Sequence, residues 1–86
     1  MAQRVVTVGS KVGLHARPAA KVAEVAEETG ADILLTFGEE EADAASILEI
    51  MALGAMNGDE ITVSGDDETA VNTVADLIAS DLDGEE

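Results

Sequence analysis

The chain has 86 residues, and we expect one domain over residues 1–86. A domain of this length buries only about 60% of the surface that its unfolded form exposes. We therefore expect its functional site to lie at the surface. A composition with no cysteine and one histidine excludes disulfides, thiolate metal sites and multi-histidine metal sites, and we predict neither a metal nor a cofactor. The formal net charge of -15 argues against a nucleic-acid partner, which requires a basic face.

The first half of the chain predicts a strand, a helix and two further strands. Residues 4–8 are short and β-branched, which is typical of a strand. From Ala16, apolar residues recur at helical spacing up to Gly30, which stands where a helix C-cap belongs. Residues 32–37 alternate as in a second strand, and the polar residues 40–44 predict a short edge strand whose charges discourage further pairing.

The second half predicts a helix, a strand and a last helix. Ser46 opens an S-x-x-E capping-box pattern, which predicts a short helix over residues 47–52. Residues 60–64 predict a strand, and Asp66 or Asp67 can cap the last helix. The apolar stripe of that helix consists of Val71, Val74, Ala75, Ile78 and Leu82. The order β-α-β-β-α-β-α is too short for a doubly wound sheet and predicts an α+β fold, in which helices cover one face of a mostly antiparallel sheet.

The segment GLHARPAA at residues 13–20 places His15 at the N-cap of the first predicted helix, where Ser, Thr, Asp or Asn would be more stabilising. The amides of Ala16 and Arg17 follow at the positive helix end, which binds phosphate readily. The Arg17 guanidinium adds a charged fork that suits phosphate oxygens. Because imidazole is a nucleophile at neutral pH, His15 is a candidate phosphoryl acceptor. The local pattern alone equally allows a surface histidine that caps the helix by chance.

Charge is divided along the chain. All four basic residues lie in the first 21 positions, and all 19 acidic residues lie from Glu24 onward. An anion is therefore expected to bind near the first segment. Such an acidic composition is typical of proteins from a cytoplasm with very high salt, where a large net charge keeps them soluble. We therefore predict a halophilic source.

The segment GLHARPAA resembles the active-site segment of the HPr family, the histidine-containing phosphocarriers of the phosphoenolpyruvate:sugar phosphotransferase system. Residues 45–65, ASILEIMALGAMNGDEITVSG, resemble the second helix and fourth strand of that family. The resemblance implies an HPr-like open-faced β-sandwich of four antiparallel strands with three helices on one face. It also implies that His15 accepts a phosphoryl group on Nδ1 from enzyme I and passes it to a sugar-specific enzyme IIA, with Arg17 as phosphate partner. The protein would be a stoichiometric carrier rather than a turnover enzyme.

Further site residues come from the short second helix. Ser46 aligns with a serine that a dedicated kinase phosphorylates in some family members, and the alternative is a plain N-cap. Ile47, Leu48 and Met51 lie on a helix too short to bury all three, which predicts a docking patch beside the active histidine, as in the family. Lys21 is either a helix-surface base or part of the same patch.

The chain departs from the family in the charge of its first two helices. Family members often carry lysines there for acidic partners, whereas this chain has Glu24, Glu27, Glu28 and Glu49. At molar salt the Debye length is about 3 Å, so long-range steering would be weak. We therefore expect docking to rely more on apolar contact than on charge.

Two other functions remain open at this point. An acyl carrier protein with a modified Ser46 would fit the acidic composition but not the β-branched segments. An HPr-like phosphoryl donor to a dihydroxyacetone kinase, or a regulatory paralogue, would keep the fold. The chain has no long apolar run and no secretory leader pattern. We thus expect a cytoplasmic monomer without membrane insertion.

Overall fold

In the computed structural model, which describes residues 2–11 and 13–80, four strands and three helices follow one another in the predicted order. The elements are β1 (Ala2–Thr7), α1 (Ala16–Thr29), β2 (Ile33–Phe37), β3 (Glu40–Asp43), α2 (Ile47–Ala52), β4 (Glu60–Gly65) and α3 (Glu68–Ala79). Leu82, predicted to extend the stripe of α3, lies outside the described residues. No helix in the described ranges is long and apolar enough to cross a membrane.

The strands form one antiparallel sheet in the order β1-β4-β2-β3. β4 lies in the middle, where Val63 pairs with Arg4 of β1 and with Leu35 of β2. β1 begins two residues before its predicted start because Ala2 pairs with Gly65 at the end of β4. β3 occupies one edge and carries acidic side chains there, as expected of an edge strand that discourages pairing.

The core lies between the sheet and the helices. Alternate strand residues are buried on the helix side, as the period-two pattern predicts. The strands contribute Val6, Ile33, Leu35, Ala42, Ile61 and Val63, and the helices contribute Ala19, Val22, Ala23, Ala26, Ile50, Val71, Val74, Ala75 and Ile78. On the opposite face of the sheet Val5 and Leu34 are exposed. The result is the α+β open-faced sandwich that the resemblance implied.

The helix ends carry the capping residues that the sequence predicts, but Glu49 does not bond as a capping box requires. Gly30 closes α1 in the left-handed conformation, at φ 73°. Ser46 caps α2 by accepting a hydrogen bond from the amide of Glu49 at 3.3 Å. The second bond of the predicted capping box, from the amide of Ser46 to the carboxylate of Glu49, does not form, so that part of the prediction was wrong. Glu49 Oε1 instead accepts from the amide of Asp43 at 2.9 Å, and the amide of Ser46 donates to the carbonyl of Asp43 at 2.9 Å. Asp67 caps α3.

Candidate functional site

The loop between β1 and α1 is anchored on two sides before it reaches His15. The amide of Gly9 donates to the carbonyl of Ile78, near the end of α3, at 3.0 Å. The amide of Leu14 donates to the carbonyl of Ala55, in the loop after α2, at 2.9 Å. These two bonds link the entrance of α1 to segments that are distant in sequence.

Gly13 allows the loop to come close enough for the hydrogen bond between Leu14 and Ala55. Its φ is +79°, a conformation that glycine adopts without steric cost. A Cβ at this position would lie 2.6 Å from the carbonyl oxygen of Ala55 and 2.9 Å from the Cα of Met56. A side chain at Gly13 would therefore push the His15 loop away from the loop after α2.

His15 is the N-cap of α1, as predicted. Its backbone is extended, with φ -84° and ψ -172°, and its carbonyl accepts the first helical bond from the amide of Ala19 at 2.7 Å. Its side chain makes no capping hydrogen bond and is exposed. The imidazole is therefore not used to complete the helix.

The first turn of α1 is open to an anion. Ala16 and Arg17 are exposed there, whereas Pro18 is buried and has no amide hydrogen to leave unsatisfied. The first amides of an α-helix have no intrahelical acceptor and lie at its positive end. No acidic side chain stands in this first turn. The turn therefore presents amide dipoles at the positive helix end, and it carries the exposed Arg17 two residues after His15.

Apolar side chains surround the histidine on the side of α2. A shallow recess is lined by His15, Leu14, Met51, Met56 and two small residues of the intervening loop. Met51 is 37% and Met56 54% exposed. The structure thus brings the predicted Met51 to His15. Sequence reasoning missed Met56, because the glycines of its loop mark a turn without indicating where the turn packs.

The remaining predicted docking residues line an open groove between α1 and α2. Arg17 and Lys21 stand on its α1 side, and Ile47 and Leu48 on its α2 side. Leu48 is 79% exposed and Ile47 41%, so the short helix does leave apolar side chains in solvent, as its length predicted. Ser46, which is half-buried, lies in the same groove.

One of the four basic residues is engaged elsewhere. Arg4 reaches from β1 to α3, where its Nη1 donates to Asp76 Oδ1 at 2.7 Å and to Asn72 Oδ1 at 3.5 Å. Both partners of the ion pair are substantially exposed, so the pair contributes about 1 kcal/mol or less. The basic residues of the first segment are thus divided among β1, the loop that carries Lys11 and the first two turns of α1.

Known proteins resemble the chain along its length. The family model for the PTS HPr component phosphorylation site matches residues 2–80. The phosphocarrier protein HPr of Streptomyces coelicolor is 38% identical over 87 residues, which cover 96% of this chain and 94% of that protein. The phosphocarrier protein NPr of Shewanella violacea is 38% identical over 84 residues, 94% of this chain and 92% of that protein. The crystal structure of HPr-C-His from Thermoanaerobacter tengcongensis superposes with a TM-score of 0.87 at 34% identity, covering 100% of this chain and 99% of that one.

The matches and the open-faced sandwich define a phosphocarrier, a protein that holds a phosphoryl group between two others rather than turning over a substrate. The chain belongs to the HPr family of the phosphotransferase system. The four-stranded sheet is incompatible with an acyl carrier protein, which would be all-helical.

Proposed function

We propose that His15 carries the phosphoryl group, accepting it from phosphorylated enzyme I and passing it to a sugar-specific enzyme IIA. The observation that supports this is the N-cap of α1, where an exposed imidazole makes no capping bond beside a helix end without acidic side chains. A regulatory paralogue that transfers no phosphate would not need this histidine. A dihydroxyacetone kinase as recipient would use the same chemistry at His15.

The acceptor step requires a free lone pair on the ring. With the proton of the neutral imidazole on Nε2, the Nδ1 lone pair attacks phosphorus. The bond between phosphorus and the donor group breaks, and the donor keeps that electron pair. Transfer to enzyme IIA reverses these roles, with His15 as the leaving group.

The start of α1 would stabilise the bound phosphoryl oxygens. The amides of Ala16 and Arg17 stand at the positive helix end, and the guanidinium of Arg17 provides charge-assisted donors. Since the chain places no carboxylate in this turn, the helix itself does not repel the group. The helix amides would be in place before the group arrives, so they would need little reorganisation on transfer.

The apolar side chains around the site would form its docking surface. We assign to it Ile47, Leu48 and Met51, together with Lys21, because all four are exposed on the groove or recess that adjoins His15 or Arg17. We also propose that the carrier is a cytoplasmic monomer.

Ser46 has less support as a site for a regulatory serine kinase. Its Oγ already accepts the amide of Glu49, and the carboxylate of Glu49 binds the amide of Asp43 close by. A phosphate on Ser46 would be favoured by the helix dipole but would be repelled by the nearby acidic residues Asp43 and Glu49. The geometry favours the capping role.

The test is to incubate the protein with enzyme I and radiolabelled phosphoenolpyruvate in molar salt. We expect one acid-labile phosphate on the wild type, none on His15→Ala, and full labelling of the matched variant Ser46→Ala. An acid-stable label, or label that persists in His15→Ala, would refute the carrier role of His15.

A further inference from the structure

Most of the sulfur atoms of the chain lie beside His15. The chain has three methionines and no cysteine, tryptophan or tyrosine. Besides Met1, the methionines are Met51 on α2 and Met56 in the loop that follows, and both line the recess that contains His15. Cysteine thiolates are ordinarily the first side chains that an oxidant attacks, with methionine thioethers next. In this chain the thioethers are therefore the most readily oxidised groups.

Packing of the core does not explain the two methionines. Methionine commonly fills gaps in a hydrophobic core, but the buried apolar cluster of the described residues contains none. Met51 is partly exposed and Met56 is the more exposed of the two. An oxidant in solution can reach both side chains, and we expect Met56 to react first.

Met56 also lies against the loop that leads to His15. Its Sδ is 3.3 Å and its Cα 2.9 Å from the position that a Cβ on Gly13 would take. The next residue, Leu14, donates its amide to the carbonyl of Ala55. The sulfur of Met56 therefore lies where the entrance loop of α1 meets the loop after α2.

We propose that Met51 and Met56 are a site of reversible oxidation that controls phosphoryl transfer through His15. A sulfur lone pair attacks one oxygen of a hydroperoxide, so that an S–O bond forms as the O–O bond breaks. The proton of that oxygen passes to the leaving oxygen, which departs as water or an alcohol. Each sulfur loses two electrons and the peroxide gains them.

The modification can be reversed. A methionine sulfoxide reductase supplies two electrons and two protons from a dithiol, which becomes a disulfide, and the added oxygen leaves as water. This inference rests on the proposed function of His15 and goes beyond it by naming a modification that regulates the same site.

The sulfoxide acts through polarity rather than charge. Oxidation converts a flexible apolar side chain into a polar one, and apart from His15 the rest of the recess is lined by Leu14, Gly54 and Ala55. A partner that packs on the recess would bury a sulfoxide oxygen without a hydrogen bond, which weakens association about tenfold. Because no net charge is added, molar salt does not screen the effect.

The test measures transfer from enzyme I before and after mild treatment of the carrier with hydrogen peroxide. Peptide mass spectrometry locates each added oxygen, and urea unfolding checks that the oxidised protein stays folded. We expect oxidation to raise the apparent KM for the wild-type carrier about tenfold, and a sulfoxide reductase with a dithiol to restore it.

The control is Met51→Leu/Met56→Leu, in which the core-independent side chains change little in volume. It retains Met1 and His15, so any effect of peroxide on the rest of the chain appears in it too. Each protein is compared with itself before and after treatment, which removes any effect of the substitutions on docking. The apparent KM of the double variant should not change on treatment.

The outcomes separate the inference from the proposed function. An unchanged KM for the oxidised wild type would overturn the inference, and so would an equal rise in the double variant, because the damage would then lie elsewhere. An oxidised wild type that has unfolded, or a KM that stays high after both oxygens are removed, would also overturn it. Each of these results leaves His15 as the carrier. No acid-labile label on the untreated wild type would overturn both.

Discussion

The helices α1 and α3 begin in different ways. α3 starts at Asp67, whose Oδ1 accepts the amide of Ala70 at 3.2 Å, and has a glutamate in its first turn. α1 starts at His15, which makes no capping bond, and has no acid in its first turn. A side-chain cap contributes about 1 kcal/mol, so α1 forgoes stability that α3 has. Its positive end remains available to an anion, and the entrance loop is held in place by contacts with distant segments instead.

The largest effect is expected at Gly13, where the entrance loop of α1 is held. Gly13→Ala combines a positive φ with overlap on the carbonyl of Ala55, and we expect a loss of about 3 kcal/mol in the free energy of unfolding. Gly38→Ala is the matched control, since its φ of +62° carries a similar backbone cost with no atom within 4 Å of the new Cβ. Urea unfolding of both variants tests this. Equal losses would show that the contact with Ala55 is not tight.

The next effect concerns Arg17, two residues after the histidine. Hydrogen bonds to charged groups contribute about 1.5–3 kcal/mol, so Arg17→Ala should slow phosphoryl transfer at least roughly tenfold. Arg4→Ala removes the same side chain from the pair with Asp76 and should leave the transfer rate unchanged. Rapid-quench kinetics with enzyme I measures both. A similar rate for the two variants would remove Arg17 from the phosphate site.

A smaller effect is expected at the cap of α3. Asp67→Ala should lower the free energy of unfolding by about 1 kcal/mol. In a domain of this size that corresponds to a melting temperature lower by about 4–8 °C. Labelling of the carrier should not change. A melting temperature equal to that of the wild type would show that α3 does not depend on its cap.

The smallest effect is expected at α2. The bond from the amide of Glu49 to Ser46 Oγ is long, at 3.3 Å, and exposed. Ser46→Ala should therefore cost only about 0.5 kcal/mol, at the low end for a cap. Calorimetry of this variant beside Asp67→Ala tests the ranking. A larger loss at Ser46 would reverse it.

The helices could be predicted closely because their signals are local. The start of α1 at Ala16, its end before Gly30 and the range of α2 all follow from caps and periodicity. Strand ends are set partly by the partner strand, which is why β1 reaches back to Ala2, opposite Gly65.

Long-range contacts could not be read from the sequence. The bond between Leu14 and Ala55 and the position of Met56 beside His15 depend on how two loops meet in space. Arg4 belongs to the basic segment by sequence, yet it pairs with Asp76, 72 residues away. The chemistry proposed for His15 could be inferred from the sequence, because the histidine, the two amides and Arg17 are consecutive in the chain.

The exchange of stability for phosphate acceptance at α1 can be measured with a single substitution. His15→Asn replaces the imidazole with a good N-cap that cannot accept a phosphoryl group from enzyme I. We expect this variant to be more stable than the wild type by about 0.5–1 kcal/mol and to take up no acid-labile phosphate. A variant that is less stable than the wild type, or one that still takes up the label, would contradict this account of how α1 begins.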